Sequence, residues 1–189
     1  METGVPCPCF NLLGRFMYRF PRVSSSTILV GLLSVMCMVG CAHRTPSSEN
    51  VTMRAMQVVV PQAIKLWSDF DDRRGERQHG AIDIKADKGV RILAASGGVV
   101  QGTGKHVTAG KWLDLRHKDG VVSRYLHLSR IQARKGDVVR SGQCIGRVGD
   151  TGNAKKPGPH LHFEWVVHGK KRDPLPELIR IYRMNKKKR

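Results

Sequence analysis

The sequence is short of acidic residues, of long apolar runs and of helical periodicity, and each shortage argues against a class of protein. Only 15 Asp and Glu accompany 33 Lys and Arg among 189 residues, which gives a formal charge of +18. Such a chain favours a polyanionic neighbour: nucleic acid, anionic lipid or an acidic wall polymer. The apolar run Ile28 to Val39 is too short to span a bilayer permanently. No useful segment of helical period precedes Pro176, which argues against an α-helical domain.

The N-terminus has the pattern of a targeting segment. Three arginines within residues 15–22 precede the apolar run, as expected for the h-region of a secretory signal. The run ends in Met38-Val39-Gly40-Cys41, which resembles a bacterial lipoprotein box, in which the cysteine receives lipid and becomes the first mature residue. We therefore expect residues 1–40 to be a lipoprotein signal peptide and Cys41 to be the lipidation site. An uncleaved anchoring helix is the alternative.

Cleavage would leave a basic chain with two cysteines. Residues 1–40 contain three basic residues and one acidic residue, so the mature charge would be +16. Only Cys41 and Cys144 would remain, and lipid on Cys41 would leave Cys144 without a disulfide partner. We expect Cys144 to be a small buried hydrophobe. The long segment before the apolar run favours Met17 over Met1 as the translation start.

Beyond a polar segment, short apolar runs alternate with glycine turns. Strands this short and this frequent predict an antiparallel all-β domain. A charged loop is expected over 71–78, and a short helix over 176–183 leads into a basic tail. The predicted strands are 66–70, 82–84, 90–95, 98–101, 112–117, 121–128, 137–140, 144–148 and 160–167.

The strand over 160–167 carries the most informative pattern. Its sequence, HLHFEWVV, alternates between apolar and polar residues, so one face is buried and the other carries His160, His162 and Glu164. Two histidines at i and i+2 point the same way, which would let one bind a metal while the other handles a proton. Two solvated histidines are the alternative. We expect Glu164 to be a solvated carboxylate rather than a partner that orients a ligand.

Two other segments carry histidines of interest. His79 and Asp83 lie four residues apart around a predicted strand, so they would share a face, and imidazole with one carboxylate is ordinary zinc chemistry. A surface histidine next to an exposed aspartate is the alternative, and the pair taken alone favours it. His127 alone would be read as a strand-end histidine with a structural hydrogen bond. No chemistry is assigned to the remaining histidines, His43, His106, His117 and His168.

Taken together, the H-x-x-x-D, Y-x-H-L and H-x-H-F-E segments resemble the lysostaphin-type (LytM-like) zinc metallopeptidases, which cut peptide bonds in peptidoglycan. The resemblance covers roughly residues 57–178. Ala81 stands where the family usually has glycine, and Gly80 precedes it, so the backbone there could differ slightly. Further segments follow the family's order and spacing: 97–100, 117–120, 136–143, 149–152 and 173–175.

The resemblance implies a role for five residues. His79, Asp83 and His162 would be the zinc ligands, and His127 and His160 would be the catalytic pair that does not bind metal. Three protein ligands leave one coordination position open, as a catalytic zinc requires. Imidazoles titrate near neutral pH and suit both proton transfer and support of an oxyanion. Which histidine acts as the base stays open.

The resemblance therefore predicts a Zn²⁺-dependent endopeptidase acting on peptidoglycan cross-links or stem peptides. The fold would be a single antiparallel β-sheet domain with the zinc site in a groove. The expected segments are a signal peptide (1–40), a lipid-anchored tether (41–56), the peptidase domain (57–178) and a basic tail (179–189). The expected location is the cell envelope, on the periplasmic face of the outer membrane if the cell has one.

Two alternatives belong to other classes. A non-catalytic module of the same fold could bind peptidoglycan and regulate another wall hydrolase, although such relatives typically lack some metal ligands. A nucleic-acid-binding protein is suggested by charge alone. The export signal and the lack of a basic motif interleaved with aromatics oppose it, so no nucleic-acid partner is expected.

Overall fold

A computed structural model describes residues 47–188. The predictions about the signal peptide and Cys41 fall outside these residues. Within them, no helix is both long enough and apolar enough to cross a membrane. The elements in chain order are α1 (Ser48–Met56), β1 (Lys65–Ser68), β2 (Arg73–Arg74), β3 (Arg77–Gln78), β4 (Ile82–Lys85), β5 (Arg91–Leu93), β6 (Gly98–His106), β7 (Gly110–Arg116), β8 (Val122–Leu128), β9 (Arg130–Ile131), β10 (Val138–Val139), β11 (Cys144–Arg147), β12 (His160–Val167), β13 (Lys170–Arg172) and α2 (Pro174–Lys187), with single 3-10 turns at Lys118–Gly120 and Gly152–Lys155.

An eight-stranded antiparallel sheet forms the body of the domain, which confirms the predicted fold class. Its strand order is β1-β4-β12-β8-β7-β6-β10, and β13 pairs with the end of β12 on the side that β4 occupies. The strand β12 therefore has neighbours along both edges. This central position lets its polar face meet side chains from β4 and β8.

Two smaller sheets accompany the main one. Strands β5, β11 and β9 form a three-stranded sheet, and β2 and β3 form a hairpin. The hairpin lies where a charged loop was expected, and its Arg74 reaches the candidate site. Cys144 lies in β11 and is half-buried, with Sγ 3.1 Å from Gln132 Oε1, so it is less enclosed than predicted.

The hydrophobic core lies on the apolar face of β12. Leu161 and Phe163 are fully buried, and Trp165 is 7% exposed. They belong to one cluster with side chains from the neighbouring strands and both helices. Burial of each large side chain stabilises the fold by about 1.5–3 kcal/mol, so this core fixes which face of β12 carries the histidines.

Helix α1 lies in the segment that was predicted to be a tether. Ala55 and Met56 are buried, while residues 48–50 are exposed. The helix packs against α2. Residues 48–56 of the predicted tether therefore form a helix, and its buried end, Ala55 and Met56, belongs to the core.

Helix α2 is longer than the predicted short helix and replaces most of the predicted basic tail. The side chain of Asp173 accepts a hydrogen bond from the backbone N–H of Leu175 (2.9 Å), and Pro174 occupies the first turn, where its missing N–H costs nothing. Leu178 and Ile181 are buried. Their three-residue spacing places both on the face that covers the core, so the helix continues through the basic residues to Lys187.

Candidate metal centre and catalytic cleft

Three side chains direct one donor atom each to a common point. His79 Nε2 lies 3.2 Å from His162 Nδ1 and 3.3 Å from Asp83 Oδ1, and His162 Nδ1 lies 2.8 Å from Asp83 Oδ1. A tetrahedral Zn²⁺ with ligands at about 2.0–2.1 Å requires donors about 3.3 Å apart. The three atoms therefore fit three corners of a zinc site, and all three residues are buried.

Strand register and one turn bring these donors together. Asp83 of β4 lies directly opposite His162 of β12, so their side chains share a face. His79 lies before β4 begins, and a turn places it here rather than the extended strand that the sequence suggested. In that turn Gly80 has φ +68°, and its N–H donates to the Phe70 carbonyl (3.0 Å).

The two remaining predicted site residues lie beside the donors. His160 Nε2 is 3.9 Å from Asp83 Oδ1. The ring centroid of His127 is 4.9 Å from that of His160 and 5.7 Å from that of His162. The structure therefore brings all five sequence-predicted residues into one cluster.

Each of the four imidazoles has its outer nitrogen held by a partner away from the donors. Three of the partners are backbone carbonyl oxygens, which can only accept, so in these pairs the ring N–H donates and the other nitrogen faces the cleft. The pairs are His79 Nδ1 with Asp69 O (2.8 Å), His127 Nδ1 with Thr151 O (3.0 Å), His160 Nδ1 with Gly158 O (2.8 Å) and His162 Nε2 with the carboxylate Glu164 Oε1 (3.3 Å).

His127 reaches the cleft through an irregularity in β8. Between Tyr125 and Leu128 the strand contains one residue more than its partner β7, and His127 has φ +65°. Regular alternation would turn His127 to the core face with Tyr125, whereas the bulge turns it to the face of His162. Bulges of this kind re-aim side chains next to active sites.

Burial keeps His127 and His160 neutral. It lowers the pKa of His127, with help from the nearby His160 and His162, to about 4. Burial also lowers the pKa of His160 below its usual range. Both imidazoles are therefore neutral near pH 7, with an acceptor nitrogen free to take a proton.

For Asp83 and His162 of the donor triangle, hydrogen bonds outweigh burial in setting the pKa. Burial would raise the pKa of Asp83, but hydrogen bonds with His162 and His79 outweigh it and hold that pKa far below its usual range. Burial would lower the pKa of His162, but hydrogen bonds with Asp83 and Glu164 outweigh it and raise that pKa. The carboxylate is thus ionised, as a metal ligand must be.

Two charged residues beside the donors were missed or misread in the sequence. Arg74 from the β2–β3 hairpin donates to Asp83 Oδ2 (2.5 Å). Nothing in its basic loop distinguished it from its neighbours. Glu164 is 4% exposed and lies between His162 Nε2 and Lys171 Nζ (2.6 Å from Oε1), so the expectation of a solvated carboxylate is wrong.

A cleft of about 350 Å³ opens over the donors. Trp67 forms part of its wall and meets the edge of the His160 ring, with centroids 5.4 Å apart. Lys85 Nζ lies over the Trp67 ring, 4.4 Å from its centroid. The cleft therefore combines an aromatic wall, the cation of Arg74 and two neutral histidines around one metal-sized gap.

A small antiparallel domain with a His-Asp-His donor set and two neutral histidines at an open cleft has the design of a metallopeptidase. The model of Peptidase family M23 matches residues 77–174, and the chain belongs to this family. The match includes all five clustered residues and ends at the start of α2.

Curated relatives share about a third of the aligned residues. Peptidoglycan DD-endopeptidase ShyA of Vibrio cholerae is 37% identical over 112 residues, which cover 56% of this chain and 26% of that protein. DD-carboxypeptidase/endopeptidase Mpg of Neisseria meningitidis is 37% identical over 99 residues, which cover 52% and 22%. This chain thus spans about a quarter of the length of these relatives.

Solved structures show the same fold. A zinc-containing peptidase from Vibrio cholerae superimposes with a TM-score of 0.57 at 32% identity, covering 62% of this chain and 37% of that one. The catalytic domain of lysostaphin from Staphylococcus simulans gives a TM-score of 0.56 at 29% identity, covering 60% and 91%. The similarity to lysostaphin therefore extends over almost the whole of an isolated catalytic domain.

Proposed function

We propose that this chain is a zinc-dependent endopeptidase that hydrolyses peptide bonds of peptidoglycan. The observation that carries the proposal is the triangle of donor atoms from His79, Asp83 and His162, with His127 and His160 facing the same gap. The similarity to ShyA, which is named a peptidoglycan DD-endopeptidase, supports the substrate class.

The donor set suits Zn²⁺ in number, type and spacing. Two imidazoles and one carboxylate would leave one net positive charge on the site and one coordination position open. Bound there, Zn²⁺ would polarise the scissile carbonyl and lower the pKa of a water molecule towards ~7. We assign His79, Asp83 and His162 as its ligands.

The chain's own contribution to the chemistry comes from His127 and His160. Their Nδ1–H groups donate to backbone carbonyls, so each Nε2 is an acceptor aimed into the cleft. One Nε2 can take the proton of the attacking water and pass it to the departing amine, and the other can accept a second hydrogen bond from that water and so orient it. General acid–base help of this kind contributes ~10²–10⁴-fold.

The cleft's other side chains suit a peptide with anionic groups. Arg74 presents a cation that is half exposed, and Trp67 presents an aromatic surface 37% exposed. The strongly basic chain would also concentrate at an acidic wall. We propose cross-links or stem peptides as substrates, without assigning the bond.

We also propose that Cys41 carries a lipid that holds the enzyme in the cell envelope, on the periplasmic face of the outer membrane where one exists. The motif Met38-Val39-Gly40-Cys41 after an apolar run supports this. Cys41→Ala should abolish lipid labelling and release the protein from membranes. A variant that stays on membranes after a high-salt wash would contradict the anchor.

Digestion of purified peptidoglycan tests the function directly. The zinc-loaded protein should release soluble fragments with new peptide termini, identified by mass spectrometry, and a chelator should stop the release. A protein that binds zinc and sediments with peptidoglycan but releases nothing would instead be a wall-binding module of this fold.

A further inference from the structure

Among the four imidazoles at the cleft, His162 is the one whose outer nitrogen meets a carboxylate instead of a backbone carbonyl. Its Nδ1 lies 2.8 Å from Asp83 Oδ1, and its Nε2 lies 3.3 Å from Glu164 Oε1. Each ring nitrogen therefore meets a carboxylate: Nδ1 meets Asp83 within the donor triangle, and Nε2 meets Glu164 outside it.

Glu164 is itself fixed from two sides. Lys171 Nζ of β13 donates to its Oε1 (2.6 Å), and Arg124 Nη1 of β8 lies 3.5 Å from its Oε2. Arg124 is directly opposite Glu164 in the strand register, and on its other side it forms a two-pronged pair with Asp114 of β7 (2.9 and 3.0 Å). A row of alternating charges thus crosses the site face of the sheet and ends at His162.

We propose that Glu164 is a positioning residue for the metal site. Its carboxylate accepts the Nε2–H of His162 and so selects, when a metal ion lies between the three donors, the tautomer whose Nδ1 lone pair faces that ion. This inference rests on the proposed assignment of His162 as a zinc ligand.

The physical need for such a partner is specific to imidazole. A neutral ring carries one N–H and one lone pair, and it must present the lone pair to a metal. A free imidazole exchanges between two tautomers and can rotate. A carboxylate bonded to its second nitrogen fixes the tautomer and the ring orientation, and it raises the basicity of the nitrogen that binds the metal. Because Lys171 and Arg124 hold Glu164, its oxygen cannot follow a swivelling ring.

The test measures zinc affinity by competition with a coloured chelator, without any substrate. Glu164→Met keeps the side-chain length and removes the acceptor, and Glu164→Gln keeps an acceptor oxygen. Asp114→Asn is the matched control, since it also removes a buried charge paired with Arg124 but does not contact His162. We expect Glu164→Met to bind zinc 10–100-fold more weakly, Glu164→Gln to recover part of the loss, and Asp114→Asn to stay within about twofold.

Nitrogen NMR of the zinc-loaded proteins provides a second readout that fold stability alone would not change. The parent protein should show a His162 Nε2–H signal protected from exchange, and Glu164→Met should lose that protection. If Glu164→Met does not fold, Glu164→Met combined with Lys171→Met removes the unpaired cation as well and takes its place.

Two results would overturn the proposal. One is a Met variant, single or double, that binds zinc within twofold of the parent. The other is an Asp114→Asn control that loses as much affinity as Glu164→Met. A parent that binds zinc tightly but does not cut peptidoglycan would contradict the proposed function alone, and a parent that binds no zinc would contradict both.

Discussion

His160 and His162 share one face of β12, and only their surroundings distinguish the proposed metal ligand from the residue proposed for proton transfer. The Nδ1 of His162 faces the donor triangle, whereas the Nδ1 of His160 is held by the Gly158 carbonyl and its Nε2 lies 3.9 Å from Asp83 Oδ1. The ring of His160 also meets Trp67 in the cleft wall. Their positions in the strand do not indicate which of the two histidines is the metal ligand, whereas their hydrogen bonds favour His162.

The division of labour predicts two classes of variant. Alanine at His79, Asp83 or His162 should lose zinc together with activity, because each removes one of three ligands. Alanine at His127 or His160 should keep near-stoichiometric zinc while turnover falls by ~10²-fold or more. Zinc content and turnover are measured side by side on all five proteins.

Circular dichroism serves as the control for folding in this series. A His160→Ala protein without metal would overturn the assignment of ligands. A His127→Ala protein with full turnover would remove that residue from the mechanism.

Gly80 offers a residue-scale test of the turn that places His79. An added Cβ would lie 3.1 Å from Lys171 Cδ, and the backbone has φ +68°, which costs an L-residue about 1–2 kcal/mol. Gly75 has the same φ with no heavy atom within 4 Å of its Cβ position. Gly80→Ala should therefore lower the free energy of unfolding in urea by more than Gly75→Ala does. Equal losses of unfolding free energy in the two variants would show that the Lys171 side chain moves aside without destabilising the fold.

At the scale of elements, the bulge in β8 is the feature that completes the cleft. In a regular strand Tyr125 and His127, two residues apart, would share a face, so a period of two alone would bury His127 beside Tyr125. The extra residue and the positive φ of His127 reverse its direction. A non-glycine residue in this conformation is strained by ~1–3 kcal/mol and persists because surrounding contacts hold it. Among these contacts is the bond from its N–H to the Ala109 carbonyl (3.0 Å).

The extent of the two helices also could not be predicted from sequence periodicity. The sequence SENVTMRAM contains little apolar pattern, and α1 depends on packing against α2 that no local signal reveals. In α2 the run of basic residues obscured a helix that Leu178 and Ile181 attach to the core.

Helix α2 should therefore contribute to the stability of the domain. Leu178→Ala removes a fully buried side chain and should cost about 2–5 kcal/mol of unfolding free energy. Met184→Ala on the same helix removes a side chain that is 40% exposed and should cost less than about 0.5 kcal/mol. Urea denaturation measures both, and a small effect of Leu178→Ala would mean that the helix contributes little to the fold.

The strands themselves were predictable, because alternation and glycine turns are local. The segment His160 to Val167 forms β12 with the predicted bounds, and its apolar residues are on the buried face. The pairing of Glu164 with Arg124 and Lys171 was not predictable. It depends on which strands are neighbours, and the resemblance that named the five clustered residues says nothing of it.

At the scale of the whole molecule, the described residues contain five buried histidines, and they do not all belong to the cleft. His117 lies outside it, with Nδ1–H donating to the Gly97 carbonyl (3.0 Å) and Nε2 2.7 Å from Ser123 Oγ. A hydrogen bond joins Ser123 to Tyr125 Oη, which accepts the Ala95 N–H (3.0 Å each). This buried network ties β7 and β8 to the loop before β6.

Burial lowers the pKa of His117 below its usual value, as it does for His127 and His160, while the pKa of His162 is raised. Above pH ~6.5 the three lowered histidines are neutral in both the folded and the unfolded chain. Below this pH, the three histidines bind protons in the unfolded chain but stay neutral in the folded chain. The free energy of unfolding must therefore decrease as the pH decreases. The raised pKa of His162 has the opposite effect, but it is one group against three.

We therefore expect the zinc-free protein to be less stable at pH 5 than at pH 7.5, as measured by its midpoint in urea. His117→Gln removes one of the three groups, so the difference between the two pH values should shrink in this variant, even though its stability at pH 7.5 is lower. If the midpoint were the same at both pH values, the buried histidines would not be neutral in the fold. The acceptor role given to His127 and His160 would then lose its physical basis.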